Sequence, residues 1–450
     1  MHTDKLDFAQ RAGYGVGDFG INLYFIAAMT YLLYFYTDVL QISAAAAAGV
    51  MFVARLVDAV TDPMMGAIAE RTRTRWGRLR PHILFGAIPM GVVAVLTFTV
   101  PPFGDTGKVW WAYITYIAFG IAYTVITIPY SALSASLTAD HHERTILSTV
   151  RMAFAFAGGL VISSGMPKLV GTFADEAAGY QITMVVFALV ATALLWLTVW
   201  QTAERVTPPA SQRLSLRDSL SAVIHNPPLV VVMVMFTCGM LSFTIRQAVA
   251  AYYFKYNLGR PDLIGDWFLV TMPIMFVGLI FTPMLARRFG KSGGILIGAI
   301  VTIFCGIGMY FTPYEEIELI FMWGALMALG GTPIAVLGWA MLPDTVEYAQ
   351  WRLGVRADGA IFSVSSFFQK LAKTLGGAGV AAALASVGYM ANTDQSATSL
   401  ATIHNMMTLA PVAIMLVLII AAMNYRLDGH THTRIVAELR SREEAAASGS

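Results

Sequence analysis

The sequence predicts an all-α integral membrane protein of twelve transmembrane helices, arranged as two pseudo-symmetric bundles of six. Three observations predict it: the apolar composition, the number and spacing of apolar runs, and the unequal sharing of basic residues between alternate loops.

Of the 450 residues, 57% are hydrophobic and only 12% charged, against about 25% charged in soluble domains. A soluble fold of this size could not cover so much apolar surface. A bilayer can, because each apolar run of about 20 residues crosses a hydrocarbon core of roughly 30 Å as a helix with its backbone bonds satisfied internally. The net charge of +2 gives no field directed at nucleic acid. Cys238 and Cys305 both lie in apolar runs and read as packing residues, not as a disulfide framework. Met1 to Arg11 is polar and shows no A-x-A-like cleavage site, so the first span is expected to stay in the protein.

Apolar runs fall at about 14–37, 41–69, 82–101, 109–137, 147–167, 178–201, 228–254, 264–286, 293–312, 317–342, 360–389 and 403–425. Of the 29 Lys and Arg, twenty collect on one side when loops are sorted alternately. The other side has four, Lys108, Lys168, Lys255 and Arg260, and the remaining five sit inside spans. That asymmetry supports an even number of spans with both termini cytoplasmic, and the expected location is a bacterial inner membrane. The longest polar stretch between spans, 202–227, contains Pro208, Pro209, Ser211, Arg213 and Arg217. It reads as a cytoplasmic linker between bundles at 1–201 and 228–426, with a tail at 427–450.

The halves echo each other. Span 2 runs into Arg71 and Arg75-Trp76-Gly77-Arg78, and span 8 into Arg287-Arg288-Phe289-Gly290-Lys291. Tight Gly-basic turns at equivalent places in a six-plus-six chain point to the major facilitator architecture, in which paired bundles rock around a midplane site. The loop Arg71–Arg80, with Arg75 and Arg78, and its counterpart Arg287–Lys291 are expected to pair with acidic or helix C-terminal groups at a cytoplasmic gate, with Glu143, Asp344 and Glu347 as candidate partners.

Charge at the bilayer centre costs at least ~2.5 kcal/mol, so intramembrane ionisable residues need a reason. Asp58 and Asp62 in span 2 are one helical turn apart and emerge on one face. Two such carboxylates repel unless a cation lies between them or one is protonated. An internal Arg55–Asp58 ion pair is the competing reading. In span 4, Thr124, Thr127 and Ser131 share a face beside Pro129, lining a polar cavity or bonding back to their own helix. Arg151, Arg246, Lys370 and Lys373 are intramembrane cations for which snorkelling or structural pairing is the alternative to ligand binding. Trp339 is an aromatic inside a span, able to stack on a sugar ring or to serve as a packing residue. No His cluster has ligand spacing inside a span, which argues against a membrane-embedded enzyme.

At these residues the chain resembles the glycoside–pentoside–hexuronide:cation symporters, the family of the melibiose permease. The resemblance runs through Tyr14-Gly15-Val16-Gly17-Asp18, Tyr34-Phe35-Tyr36-Thr37-Asp38, Ala54-Arg55 to Asp62-Pro63, and Arg73 to Pro81. It continues with Ile128-Pro129-Tyr130, Asp344 to Tyr348, Arg356 to Gly359, and Lys370. It implies sugar uptake by alternating access coupled to sodium or proton, with no other cofactor. Asp58, Asp62 and Thr124, flanked by Thr61, would hold the cation. Asn22, Thr127, Ser131 and Arg151 would fall in the sugar site, with Lys370 near both. The melibiose permease has acidic residues at the positions of Asn22 and Thr127, a tryptophan at that of Ser131 and an asparagine at that of Thr61. These departures argue against melibiose, leave the choice between sodium and proton open, and make the pocket more positive. The expectation is therefore a glycoside or an anionic sugar, a hexuronide or sulfo-sugar; a neutral glycoside or pentoside, or a lysolipid or drug of the same superfamily, is the alternative.

Overall fold

The computed structural model describes residues 6–138, 141–205, 225–354, 358–427 and 429–448. Among them no strand occurs, only an isolated bridge between Thr74 and Gly77. The helices are Phe8–Tyr34 (α1), Ala44–Arg71 (α2), Arg80–Thr97 (α3), Asp105–Leu137 (α4), His141–Val170 (α5) and Glu176–Gln201 (α6). The second half continues with Pro227–Tyr252 (α7), Ile264–Phe311 (α8), Ile317–Leu353 (α9), Asp358–Ser386 (α10), Ala397–Met407 (α11), Leu409–Met423 (α12) and Gly429–Ser448 (α13). Of the linker expected at 202–227, Pro208, Pro209, Ser211, Arg213 and Arg217 lie outside the described residues, as does Arg356.

Among the described residues, ten helical stretches are long and apolar enough to cross a membrane. One, Pro261–Phe311, is 51 residues long and is two rods meeting at Gly290, whose φ of 74° no α-helix contains. Counted as two, and joined by α10, which Gln369, Lys370 and Lys373 make less apolar, these stretches are the twelve expected spans.

Local chemistry sets the helix starts. Asp7 opens α1 with a capping box, its carboxylate accepting from Gln10 N (2.7 Å) while Gln10 Oε1 accepts from Asp7 N (3.3 Å). Ser43 caps α2 through Ala46 N, and Asp175 caps α6 through Ala177 and Ala178. Interior prolines such as Pro89, Pro129 and Pro333 persist because neighbouring helices support the interrupted turns.

The chain forms two compact units. The first comprises the described part of Met1–Ser211 with Ala248–Leu269 and Gly377–Thr402. In it α1 packs on α5 and α6, α3 on α4 and α6, and α2 on α4. The second comprises the described part of Gln212–Gln247, Val270–Gly376 and Ile403–Ser450. Its core includes Val232, Ile295, Leu337, Met341 and Leu418. There α8 and α9 approach so closely that a Cβ at Gly298 would strike the carbonyl oxygen of Gly330, the close backbone contact that small residues allow in membranes.

In the first unit Glu204, just past α6, fixes the basic loop before α3. Its Oε2 accepts from Arg78 N (3.0 Å), and its Oε1 from Leu79 N (2.7 Å) and Arg80 N (3.1 Å). Gly77, at φ 103°, makes the turn that points these amides at one anion. Hydrogen bonds to a charged group contribute about 1.5–3 kcal/mol each. Glu204→Ala is therefore expected to speed tryptic cleavage within residues 72–80 by at least ~10-fold through local opening. Unchanged cleavage would mean the loop's own bonds hold it.

Candidate functional site

In the first unit α2 and α4 bring the expected cation residues together. Arg55 Nη1 lies 2.7 Å from Asp58 Oδ2, and Arg55 Nη2 donates to Tyr116 OH at 3.0 Å. The ion pair read as the alternative is thus present, yet it uses one carboxylate oxygen only. Asp58 Oδ1 is buried without a hydrogen-bond partner, facing Gly120, where a Cβ would come within 2.5 Å of it. One turn along, Asp62 Oδ1 accepts from Thr124 Oγ1 at 2.8 Å. Thr61 turns back to its own helix, its hydroxyl 3.4 Å from the Asp58 carbonyl.

A second cluster forms where α1, α4 and α5 meet. Arg151 Nε lies 3.2 Å from Asp18 Oδ2, and its guanidinium stands 5.3 Å from the centre of the Tyr130 ring. Tyr130 stacks on Tyr14 at 4.8 Å and donates to the Tyr14 carbonyl at 2.7 Å. Asn22 Nδ2 donates to the Asp18 backbone carbonyl (2.8 Å), one turn back in its own helix. Thr127 bonds back to Tyr123 O (2.9 Å), and Ser131 is exposed on the same helix.

Arg151 therefore has a carboxylate partner, the pairing that stood as the alternative to ligand binding. Asp18, four residues before Asn22, supplies a negative charge one turn from where the melibiose permease carries one. In the sequence Asp18 stands within the Tyr14 to Asp18 motif of the resemblance, with no role given to it there. The i,i+4 spacing to Asn22 was the available signal. Tyr14, Tyr130, Tyr116 and Gly120 were likewise missed as parts of the site, because stacking and close approach leave no mark on local sequence.

In the second unit Arg246 is partly buried and its Nε is buried without a hydrogen-bond partner. Lys370 is exposed, and Trp339, 39% exposed, packs edge-on against Phe236 at 5.4 Å. Of the residues expected to gate, Glu143 takes a two-pronged contact from Arg11, at 2.8 and 3.1 Å. Asp344 pairs with Lys291 at 2.7 Å, and Glu347 Oε2 lies 2.5 Å from His432 Nε2 of α13. The Arg75 guanidinium stacks on the Trp76 ring at 4.0 Å, and Arg78 meets Glu204 through its backbone.

The family model described as MFS/sugar transport protein matches residues 13–429. The chain is 36% identical to the uncharacterized symporter YnaJ of Bacillus subtilis (strain 168), over 98% of this chain and 97% of that one. It is 33% identical to the isoprimeverose transporter of Lactiplantibacillus pentosus, covering 95% and 90%. Among solved structures, a point mutant of the nucleoside transporter NupG superposes with a TM-score of 0.69 at 10% identity, covering 92% of this chain and 99% of that one, a likeness of fold.

Proposed function

Because the chain belongs to the MFS/sugar transport protein family and is therefore a sugar symporter of the membrane, not an enzyme, we propose that it imports a neutral glycoside with sodium or a proton. In this reading Asp58, Asp62 and Thr124 hold the cation, and Asp18, Asn22, Arg151, Thr127 and Ser131 meet the sugar. Arg246, Lys370 and Trp339 are the second unit's candidates for substrate contact. The orientation, with both termini cytoplasmic, rests on the asymmetry of the basic residues, and the bacterial inner membrane on the bacterial relatives.

The observation that carries the cation site is the orphaned Asp58 Oδ1. An unsatisfied buried acceptor costs about 1–3 kcal/mol, and more when charged. A hard cation or a proton at that oxygen recovers the cost, and Asp62 and Thr124 offer further oxygens one turn away. The neutral sugar is supported by the Asp18–Arg151 pair, whose opposite charges cancel while both ends keep hydrogen-bonding capacity for hydroxyls. It also agrees with the relative named for isoprimeverose. The test is uptake of labelled isoprimeverose and other glycosides into proteoliposomes under an imposed sodium or proton gradient. Uptake that neither gradient drives would overturn the cation coupling.

One observation favours an anionic sugar instead: the unpartnered Nε of Arg246. An Arg fork binds a carboxylate or sulfonate bidentately. On that reading an anionic sugar outcompetes its neutral counterpart by ~10-fold, a margin of about 1.4 kcal/mol, and Arg246→Gln erases the preference. Equal competition in the wild-type protein, the result expected for a neutral substrate, removes this reading.

A further inference from the structure

Two helices, α1 and α7, end inside the first unit in the same uncommon way. After α1 the chain widens into a π-helical turn, Phe35–Val39, closed by Leu40 N donating to Phe35 O at 2.7 Å. After α7 it does so again over Tyr253–Asn257, closed by Leu258 N donating to Tyr253 O at 3.1 Å. The sequences echo each other, Tyr34-Phe35-Tyr36-Thr37-Asp38 against Tyr253-Phe254-Lys255-Tyr256-Asn257. Single π turns are rare and concentrate at functional sites, because the extra residue re-aims the side chains that follow.

Here the re-aimed side chains meet. The Asp38 side chain is completely shielded from solvent. Its Oδ1 accepts from Lys255 Nζ at 2.8 Å and from the Tyr256 hydroxyl. Its Oδ2 accepts from Tyr389 OH at 2.6 Å and from Thr37 Oγ1 at 2.7 Å. Asn392, at φ 57°, donates its Nδ2 to the Asp38 carbonyl (2.7 Å) and offers its Oδ1 to Lys255 (2.7 Å). Four donors saturate the roughly four lone-pair sites of one carboxylate. Two of them, Lys255 and Tyr256, come from the second π turn, and Tyr389 from the segment after α10. Nothing in the proposed cation or sugar site uses this cluster.

A saturated ionic cluster around one solvent-shielded carboxylate has two stable states. Closed, its low-dielectric surroundings strengthen every bond; opened to water, each group is rehydrated and the cost of parting falls. It therefore breaks as a unit, which is the behaviour required of a bistable element. By the charge asymmetry of the loops, Asp38, Lys255 and Tyr389 all belong to the sparsely basic side, through which an importer must admit its sugar. We propose that Asp38 and its four donors form the outer latch of the transport cycle, closed here and broken once in each turnover. Asp38 is then a positioning residue that sets the balance between outward-open and outward-closed states. The inference rests on the transporter reading but not on the identity of the sugar or the ion.

The test measures opening directly. Leu40, fully buried beside the cluster, is replaced by cysteine, and its alkylation by a membrane-impermeant maleimide is followed in right-side-out vesicles, without substrate. Asp38→Asn and Lys255→Met are each expected to raise the labelling rate by at least ~10-fold over the Leu40→Cys parent, the scale of one lost charged hydrogen bond. Tyr389→Phe, which removes one donor and no charge, is expected to raise it less and keeps the test open if a charge variant does not fold. Equilibrium sugar binding should stay within ~3-fold while zero-trans uptake falls by more, since the latch shifts populations without touching substrate. Labelling within twofold of the parent in Tyr389→Phe and in the folded charge variants overturns the latch. Failure to find a transported sugar leaves the labelling result intact, so the two readings fail separately.

Discussion

Asp62→Asn is expected to abolish accumulation of sugar against a gradient while leaving folded protein in the membrane. Asp62 Oδ1 accepts from Thr124 Oγ1 at 2.8 Å, a bond that an Asn oxygen can also accept. The substitution removes the charge and keeps that bond. Without the charge, the orphaned Asp58 Oδ1 is left as the main anionic ligand, already half-committed through its partner oxygen to Arg55. A monovalent cation held by one shared carboxylate instead of two loses several kcal/mol of attraction in a low-dielectric site. The expected loss of concentrative uptake is at least ~100-fold, about 2.7 kcal/mol, while counterflow, which needs sugar binding but no net cation movement, persists. Thr124→Ala should give a smaller defect of the same kind. Normal accumulation by both Asp58→Asn and Asp62→Asn would show that the carboxylates serve packing only.

The second large effect concerns the Asp18–Arg151 pair. Removing one member leaves the other charge beside the Tyr14–Tyr130 stack without compensation. For a fully buried pair that costs 3–5 kcal/mol; Arg151 is about a third exposed, so the penalty here is discounted accordingly. Arg151→Gln and Asp18→Asn are each expected to lower sugar uptake by at least ~100-fold and to reduce thermal stability in detergent. The double variant Asp18→Asn/Arg151→Gln separates the two effects. It carries no uncompensated charge, so stability should largely return, while uptake stays lost because the groups offered to sugar hydroxyls are gone. Recovery of uptake along with stability would mean that the pair is structural.

What could be read in advance was what depends on residues close together in the chain. Apolar runs of span length, the alternation of basic loops and the one-turn spacing of Asp58 and Asp62 follow from the 3.6-residue period and from the cost of charge in hydrocarbon. The Arg55–Asp58 bond, three residues in span, was legible as an alternative. Even so, sequence could not decide between that bond and a free carboxylate. The structure contains both, one oxygen in each state.

The composition and periodicity of this sequence determined by themselves that the chain crosses a bilayer as helices, about how many times, and which helix carries the paired carboxylates. The choice of partners on other helices was decided by tertiary structure alone. Arg151 finds Asp18 because α5 packs on α1. Glu204 finds three amides at the start of α3, and Asp38 finds Tyr389, 351 positions further along the chain. The physical reason is that a charged side chain in a helix has no local signature of its partner. Its energy depends on which distant surface the helix is packed against and whether water is shut out there, and both are properties of the assembled helices.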